Sequence, residues 1–175
     1  SIPVIYLARE FGLDMKTVKE KIENFKGAKR RYDVLFDDGK VKVIDDYAHH
    51  PTEIEATLQG ARSIENKHIT VIFQPHRYSR VKFLFEEFAG TFKNADELIL
   101  MPIYSAGEKD EFGVSVEDLL KKINHKNGKI MKNRDELEDM LAERKEEHVY
   151  LFMGAGNISS AAHEFAEKLQ EKGTN

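Results

Sequence analysis

Four short apolar runs, separated by segments of helical spacing, constrain this chain more than any other feature. Val41 to Ile44, Ile69 to Phe73, Leu98 to Met101 and Val149 to Met153 show little polar alternation. Strands of that kind need cover on both faces, which is the condition of a parallel sheet held between helical layers. Between and after them, apolar residues recur at helical spacing: Ile54, Leu58 and Ala61; Leu84, Phe85, Phe88 and Phe92; Val116, Leu119, Leu120 and Ile123; Leu137, Met140 and Leu141; and Ile158, Ala162, Phe165 and Leu169. Ile130-Met131 reads as one more short strand.

The alternation predicts an α/β fold, a Rossmann-like three-layer sandwich with a mostly parallel sheet. One strand departs from the pattern. Tyr32 to Phe36 and Val41 to Ile44 flank Asp37-Asp38-Gly39-Lys40, and Asp38-Gly39 suits a tight turn with positive φ, so an antiparallel hairpin strand is expected. Ahead of the hairpin, Met15, Val18, Ile22 and Phe25 mark a surface helix stopped at Gly27, and residues 1–12 read as a helix continuing from a preceding domain. With 175 residues and 41% apolar content, the chain has the size of one domain, residues 1–175, with one core.

Charge narrows the function. Lys plus Arg number 27 against 31 Asp plus Glu, so no field of one sign points to nucleic acid or to a membrane surface as the main partner. No apolar run approaches the roughly 20 residues that span a bilayer, and a soluble domain is expected. The absence of cysteine removes thiol nucleophiles, disulfides and thiolate metal sites, and agrees with a cytoplasmic protein.

In open parallel sheets ligands bind beyond the carboxyl ends of the strands, and two polar clusters directly follow strands here. The first is Asp45-Asp46-Tyr47-Ala48-His49-His50-Pro51, with Pro51 suited to the first turn of a helix and Thr52 and Glu55 spaced like a capping pair. The second is Gln74-Pro75-His76-Arg77-Tyr78-Ser79-Arg80. Arg77 and Arg80 share a face if a helix has begun, and a carboxylate or phosphate at the helix start would meet both. The plainer reading pairs them with Asp45 or Glu108 as surface ion pairs. His49, His50 and His76 suggest a metal site, but adjacent histidines point differently, so no metal is expected there; one histidine capping the helix while the other meets substrate is the simpler outcome. Gly154-Ala155-Gly156-Asn157 follows the last strand with Ser159 at the third glycine position of a dinucleotide fingerprint, so a tight strand-to-helix turn is expected. Gly39-Lys40 and Gly128-Lys129 lack the following Ser or Thr of a P-loop.

The two clusters, together with Phe25 to Tyr32, Ile103-Tyr104-Ser105-Ala106-Gly107-Glu108 and Gly154 to Asn157, resemble the C-terminal domain of the Mur ligase family in order and spacing across nearly the whole chain. The paired histidines and Gln74-Pro75-His76-Arg77 are similar to the family member that adds L-alanine. The resemblance implies an ATP- and Mg2+-dependent, amide-forming ligase that joins L-alanine to UDP-N-acetylmuramate through an acyl phosphate in peptidoglycan precursor synthesis. It implies that Tyr47, His49, His50, His76, Arg77 and Arg80 form the L-alanine and substrate pocket. By the same resemblance Arg31 and Asp46 contact nucleotide, with Arg30 taking the role of Arg31 if the alignment shifts by one. ATP and Mg2+ would be held mainly by a central domain, and the chain by itself is expected to be inactive. Two alternatives remain open: another Mur-type or folylpolyglutamate-type ligase domain, and a non-catalytic Rossmann-like anion-binding module.

Overall fold

The computed structural model describes residues 2–24, 28–133, 135, 136, 139 and 147–173. Six strands form one sheet: β1 (Asp33–Asp37), β2 (Val41–Asp46), β3 (His68–Phe73), β4 (Glu97–Leu100), β5 (Gly128–Ile130) and β6 (His148–Met153). Their order is β1-β2-β6-β3-β4-β5. β1 runs antiparallel to β2, and every other pairing is parallel. The Rossmann-like reading with one antiparallel hairpin strand therefore stands, and Gly39 turns the hairpin at φ 84°.

Strand alternation sorts the core onto two faces. Ile44, Val71, Phe73, Leu98, Leu100, Val149, Leu151 and Met153 join one buried cluster, which is covered by Ile54, Leu58 and Ala61 of α3 (Pro51–Ile64) and Leu119 and Ile123 of α5 (Val116–Ile123). The intervening residues Val43, Ile72, Ile99, Tyr150 and Phe152 face the other way, beneath Ile158, Ala162, Phe165 and Leu169 of α6 (Ile158–Gly173). Burying the side chains of both faces is what makes the blunt runs obligatory, at about 1.5–3 kcal/mol for each large apolar side chain.

Two segments differ from expectation. The helix read through Leu84 to Phe92 is shorter and earlier: α4 spans Tyr78–Phe83, and turns follow it. The amides of Glu87, Ala89, Thr91 and Lys93 bond carbonyls three residues back, and Gly90 sits at φ 72°, a conformation that ends helical propagation. Phe88 and Phe92 still reach the core, packing against Phe73 at 5.9 and 5.2 Å between ring centroids. Spacing alone does not separate one helix from a train of tight turns. Leu137, Met140 and Leu141, read as a helix, lie outside the described residues, as do Phe25 and Gly27.

At the N-terminus, α1 (Ile2–Glu10) and α2 (Met15–Glu23) form a helical pair. Asp14 caps α2, accepting from the amides of Lys16 and Thr17. Ile2, Val4, Tyr6 and Leu7 are exposed on α1. Among the described residues no helix is long and apolar enough to cross a membrane.

Candidate functional site

The carboxyl ends of β2, β6, β3 and β4 lie side by side, so the loops after them meet at one edge. The loop after β2 is organised by Asp46. Its side chain is buried, with Oδ2 accepting the Tyr32 amide at 2.7 Å and Oδ1 the Ala48 amide at 2.8 Å. Asp45 is fully buried beside it, where it accepts from Ser159 Oγ at 2.5 Å and pairs with Arg30 Nε at 3.3 Å. Arg30 also donates to the Gly154 carbonyl at 2.6 Å and lies 4.9 Å from the Tyr47 ring centroid. One guanidinium thus ties the loops after β2 and β6 together. Arg31 is exposed instead, with Glu53 among the groups that feel its charge.

His50 is the N-cap of α3. Its Nδ1 accepts the Thr52 amide at 3.3 Å, while the Glu53 carboxylate returns to the amides of His49 and His50, each at 3.2 Å. The capping box is therefore His50 with Glu53, not Thr52 with Glu55, because the helix begins at Pro51. Burial pushes the Glu53 pKa up, but the two amide donors and the charges of His49 and Arg31 outweigh it and leave the carboxyl below its usual range. His50→Ala is expected to cost about 1 kcal/mol of stability, with most of it returned by His50→Asn, since asparagine caps well; thermal unfolding of both variants checks this.

His49 is half-buried and turns toward the second cluster. Its Nδ1 lies 2.9 Å from the Tyr47 carbonyl, and its ring stands 6.0 Å from that of His76. His76 stacks on Tyr104 at 5.7 Å and 16°, and its Nδ1 is buried without a hydrogen-bond partner. Burial and the positive charges of His49, Arg77 and Arg80 lower the His76 pKa, with Glu108 partly opposing them. The ring is consequently neutral at neutral pH and able to accept a proton.

Arg77 precedes α4 in a left-handed conformation, φ 66°, held by its amide donating to the Tyr104 carbonyl at 2.8 Å. The α4 start is already taken: Glu108 accepts the Ser79 amide at 3.0 Å and the Ser79 hydroxyl at 2.6 Å. This corrects both sequence expectations. The guest anion at the helix start is a carboxylate of the chain itself, and Asp45 and Glu108 are bound elsewhere rather than to Arg77 and Arg80. Among the described residues neither arginine makes a salt bridge, although Glu108 feels the charge of Arg77.

The structure thus groups Tyr47, His49, His76, Arg77 and Arg80, gives His50 a capping duty, and leaves Arg31 and Asp46 on the Tyr32 side. Gln74 and Tyr104 stand in the motifs read from the sequence but are not assigned there to the pocket. Both line a cavity of about 290 Å³ that also reaches Lys132 and Asn157. Gln74 directly follows β3, the one signal that pointed to it. The Gly154 to Asn157 segment is the expected tight turn, and a Cβ on Gly156 would come within 2.5 Å of Gln74 Oε1 and 2.8 Å of Tyr104 Cγ.

This edge, a sheet crevice with paired histidines and unpaired arginines, is that of a known class: residues 30–156 match the family model for the Mur ligase glutamate ligase domain, and the chain belongs to the Mur ligase family. Within it, the chain is similar to UDP-N-acetylmuramate–L-alanine ligase of Fusobacterium nucleatum, with 49% identity over 180 residues, covering 97% of this chain and 38% of that protein. The ligase of the same name from Caldanaerobacter subterraneus is 44% identical over 172 residues, covering 96% and 36%. The crystal structure of UDP-N-acetylmuramate-alanine ligase from Thermotoga maritima superposes with a TM-score of 0.77 at 35% identity, covering 96% of this chain and 36% of that one. The chain therefore spans little more than a third of the length of these relatives.

Proposed function

We propose that this chain is the amino-acid-binding C-terminal part of an ATP-dependent ligase that joins L-alanine to UDP-N-acetylmuramate, with α1 continuing from a preceding central domain. The convergence of Tyr47, His49 and His76 with two unpaired arginines carries the reading, and the relatives' names supply the substrate. Arg77 and Arg80 bind the alanine carboxylate. A neutral His76 accepts a hydrogen bond, or a proton, from the alanine ammonium, because only the free amine attacks. ATP activates the muramoyl carboxylate as an acyl phosphate. The alanine amine adds to its carbonyl, and the tetrahedral adduct expels phosphate to leave the amide. Fixed cations and dipoles at this edge favour that charge more than water does.

The nucleotide fits this chain only in part. Arg31 is exposed and suits a phosphate, whereas both Asp46 oxygens are occupied by backbone amides and leave a ribose little to bind. Asp46 and Glu108 give both carboxylate oxygens to internal donors, and Asp45 and Glu53 one each, while the resemblance assigns the Mg2+ that accompanies ATP mainly to the central domain. Gly39-Lys40 lies in the hairpin turn and Gly128-Lys129 in β5, away from this edge. A cysteine-free chain and ATP-dependent chemistry fit a cytoplasmic setting.

The test has two arms. The chain alone, given UDP-N-acetylmuramate, ATP and L-alanine, is expected to release no phosphate, and turnover by it alone contradicts the division of labour. The intact ligase is expected to prefer L-alanine across a panel of amino acids, and a preference for an acidic or dibasic one rejects the assignment.

A further inference from the structure

We infer that His68, Glu97 and His148 form a binding site for a divalent transition-metal ion of the zinc class, at the sheet edge opposite the arginine cluster. Each residue opens a strand: β3, β4 and β6, which are neighbours in the sheet. His68 and His148 are direct partners in the parallel register, with rings 4.5 Å apart, and Glu97 is level with Thr70. All three share the face that buries Ile72, Ile99 and Phe152 beneath α6, because each lies an even number of residues from one of them. The sheet thus delivers two imidazoles and a carboxylate to one point from three rigid elements.

Their donor atoms lie within 4.8 Å of one another. A tetrahedral ion with bonds of about 2.0–2.1 Å needs donors roughly 3.4 Å apart, so closure requires a movement of at most about 1.4 Å, which the exposed His68 side chain can supply. The Thr70 hydroxyl already bridges two donors, lying 2.7 Å from His148 Nε2 and 3.1 Å from Glu97 Oε2. A cation takes over that bridging role. Lys129 Nζ stands 2.9 Å from Glu97 Oε1 and competes for the same carboxylate. Two imidazoles select zinc, cobalt, nickel or copper over magnesium, and three protein donors leave one position for water. His148 is buried and His68 is exposed, which fixes the inner ligand and leaves an entrance.

Titration of the 175-residue chain with Co2+, followed by visible absorption, and then with Zn2+ tests this directly. Expected are one equivalent bound, tetrahedral-type Co2+ bands displaced by Zn2+, no response to Mg2+, and a Tm rise of roughly 5–10 °C at Zn2+ 100-fold above Kd. His68→Ala, at an exposed position, should weaken binding at least about tenfold. Lys129→Met should tighten it by removing the competing ammonium. His49→Ala should leave it unchanged, separating this edge from the other histidine cluster. Absence of saturable Co2+ or Zn2+ binding, unchanged affinity in folded His68→Ala, or loss of binding in His49→Ala overturns the inference.

Discussion

On the proposed function, replacing Arg77 or Arg80 by alanine in the intact ligase is expected to lower kcat/KM for L-alanine by roughly 30- to 1000-fold each, corresponding to about 2–4 kcal/mol of lost charge-assisted contact. The size follows from the surroundings of the two guanidinium groups. No carboxylate among the described residues forms a salt bridge with either one; Glu108, at the α4 start, feels the charge of Arg77 but gives both oxygens to Ser79. On the proposed function, removing either arginine takes away a partner of the alanine carboxylate. The loss should fall on the parameters for alanine and spare KM for ATP. Steady-state kinetics with each substrate varied in turn checks this, and unchanged rates in both variants would favour a module without a part in catalysis.

Gly154→Ala is expected to destabilise the fold by about 3 kcal/mol, lowering Tm by roughly 6–12 °C. Gly154 adopts φ 145°, and a Cβ there would stand 2.7 Å from the backbone oxygen of Gln74 and 3.3 Å from Ile158. A backbone oxygen yields less readily than the end of a flexible side chain, and Gln74 is tethered nearby through its amide, which donates to the Met153 carbonyl at 3.0 Å. Calorimetry of the variant against wild type gives the number; a Tm within 2 °C of wild type would mean that the turn relaxes without strain.

The layered fold was legible because burial on both faces leaves strands no choice of composition: Ile69 to Phe73 and Val149 to Met153 sit where their blunt patterns place them. Leu84 to Phe92 misled because aromatic spacing records which side faces the core and says nothing of whether Gly90 interrupts the hydrogen-bond ladder. Within the candidate site, the crevice rule picked out the two clusters after β2 and β3 but not which of their residues line the cavity, since Gln74 stands in the second of them unassigned. Their division of labour was not legible either. That His50 caps while His49 faces His76 depends on where α3 starts, and that Glu108 occupies the α4 start depends on a loop 29 residues away. Arg30 and Arg31 are equivalent as letters; the positive φ of Arg30, 57°, belongs to the turn that commits its side chain inward and leaves Arg31 outside. His68, Glu97 and His148 are dispersed in the chain and become neighbours only through strand register.

The sheet order also dictates how this molecule is made. β6, the last strand, is wedged between β2 and β3, which have no hydrogen-bonded contact with each other. Without β6, the facing edges of β2 and β3 have no strand between them, and exposed edges of that kind invite pairing with other chains. Docking of β6 is therefore the step that completes the sheet. It joins the halves, seats Gly154 against Gln74 and lets Arg30 reach its carbonyl, so the ligand edge comes into being at the moment the fold closes.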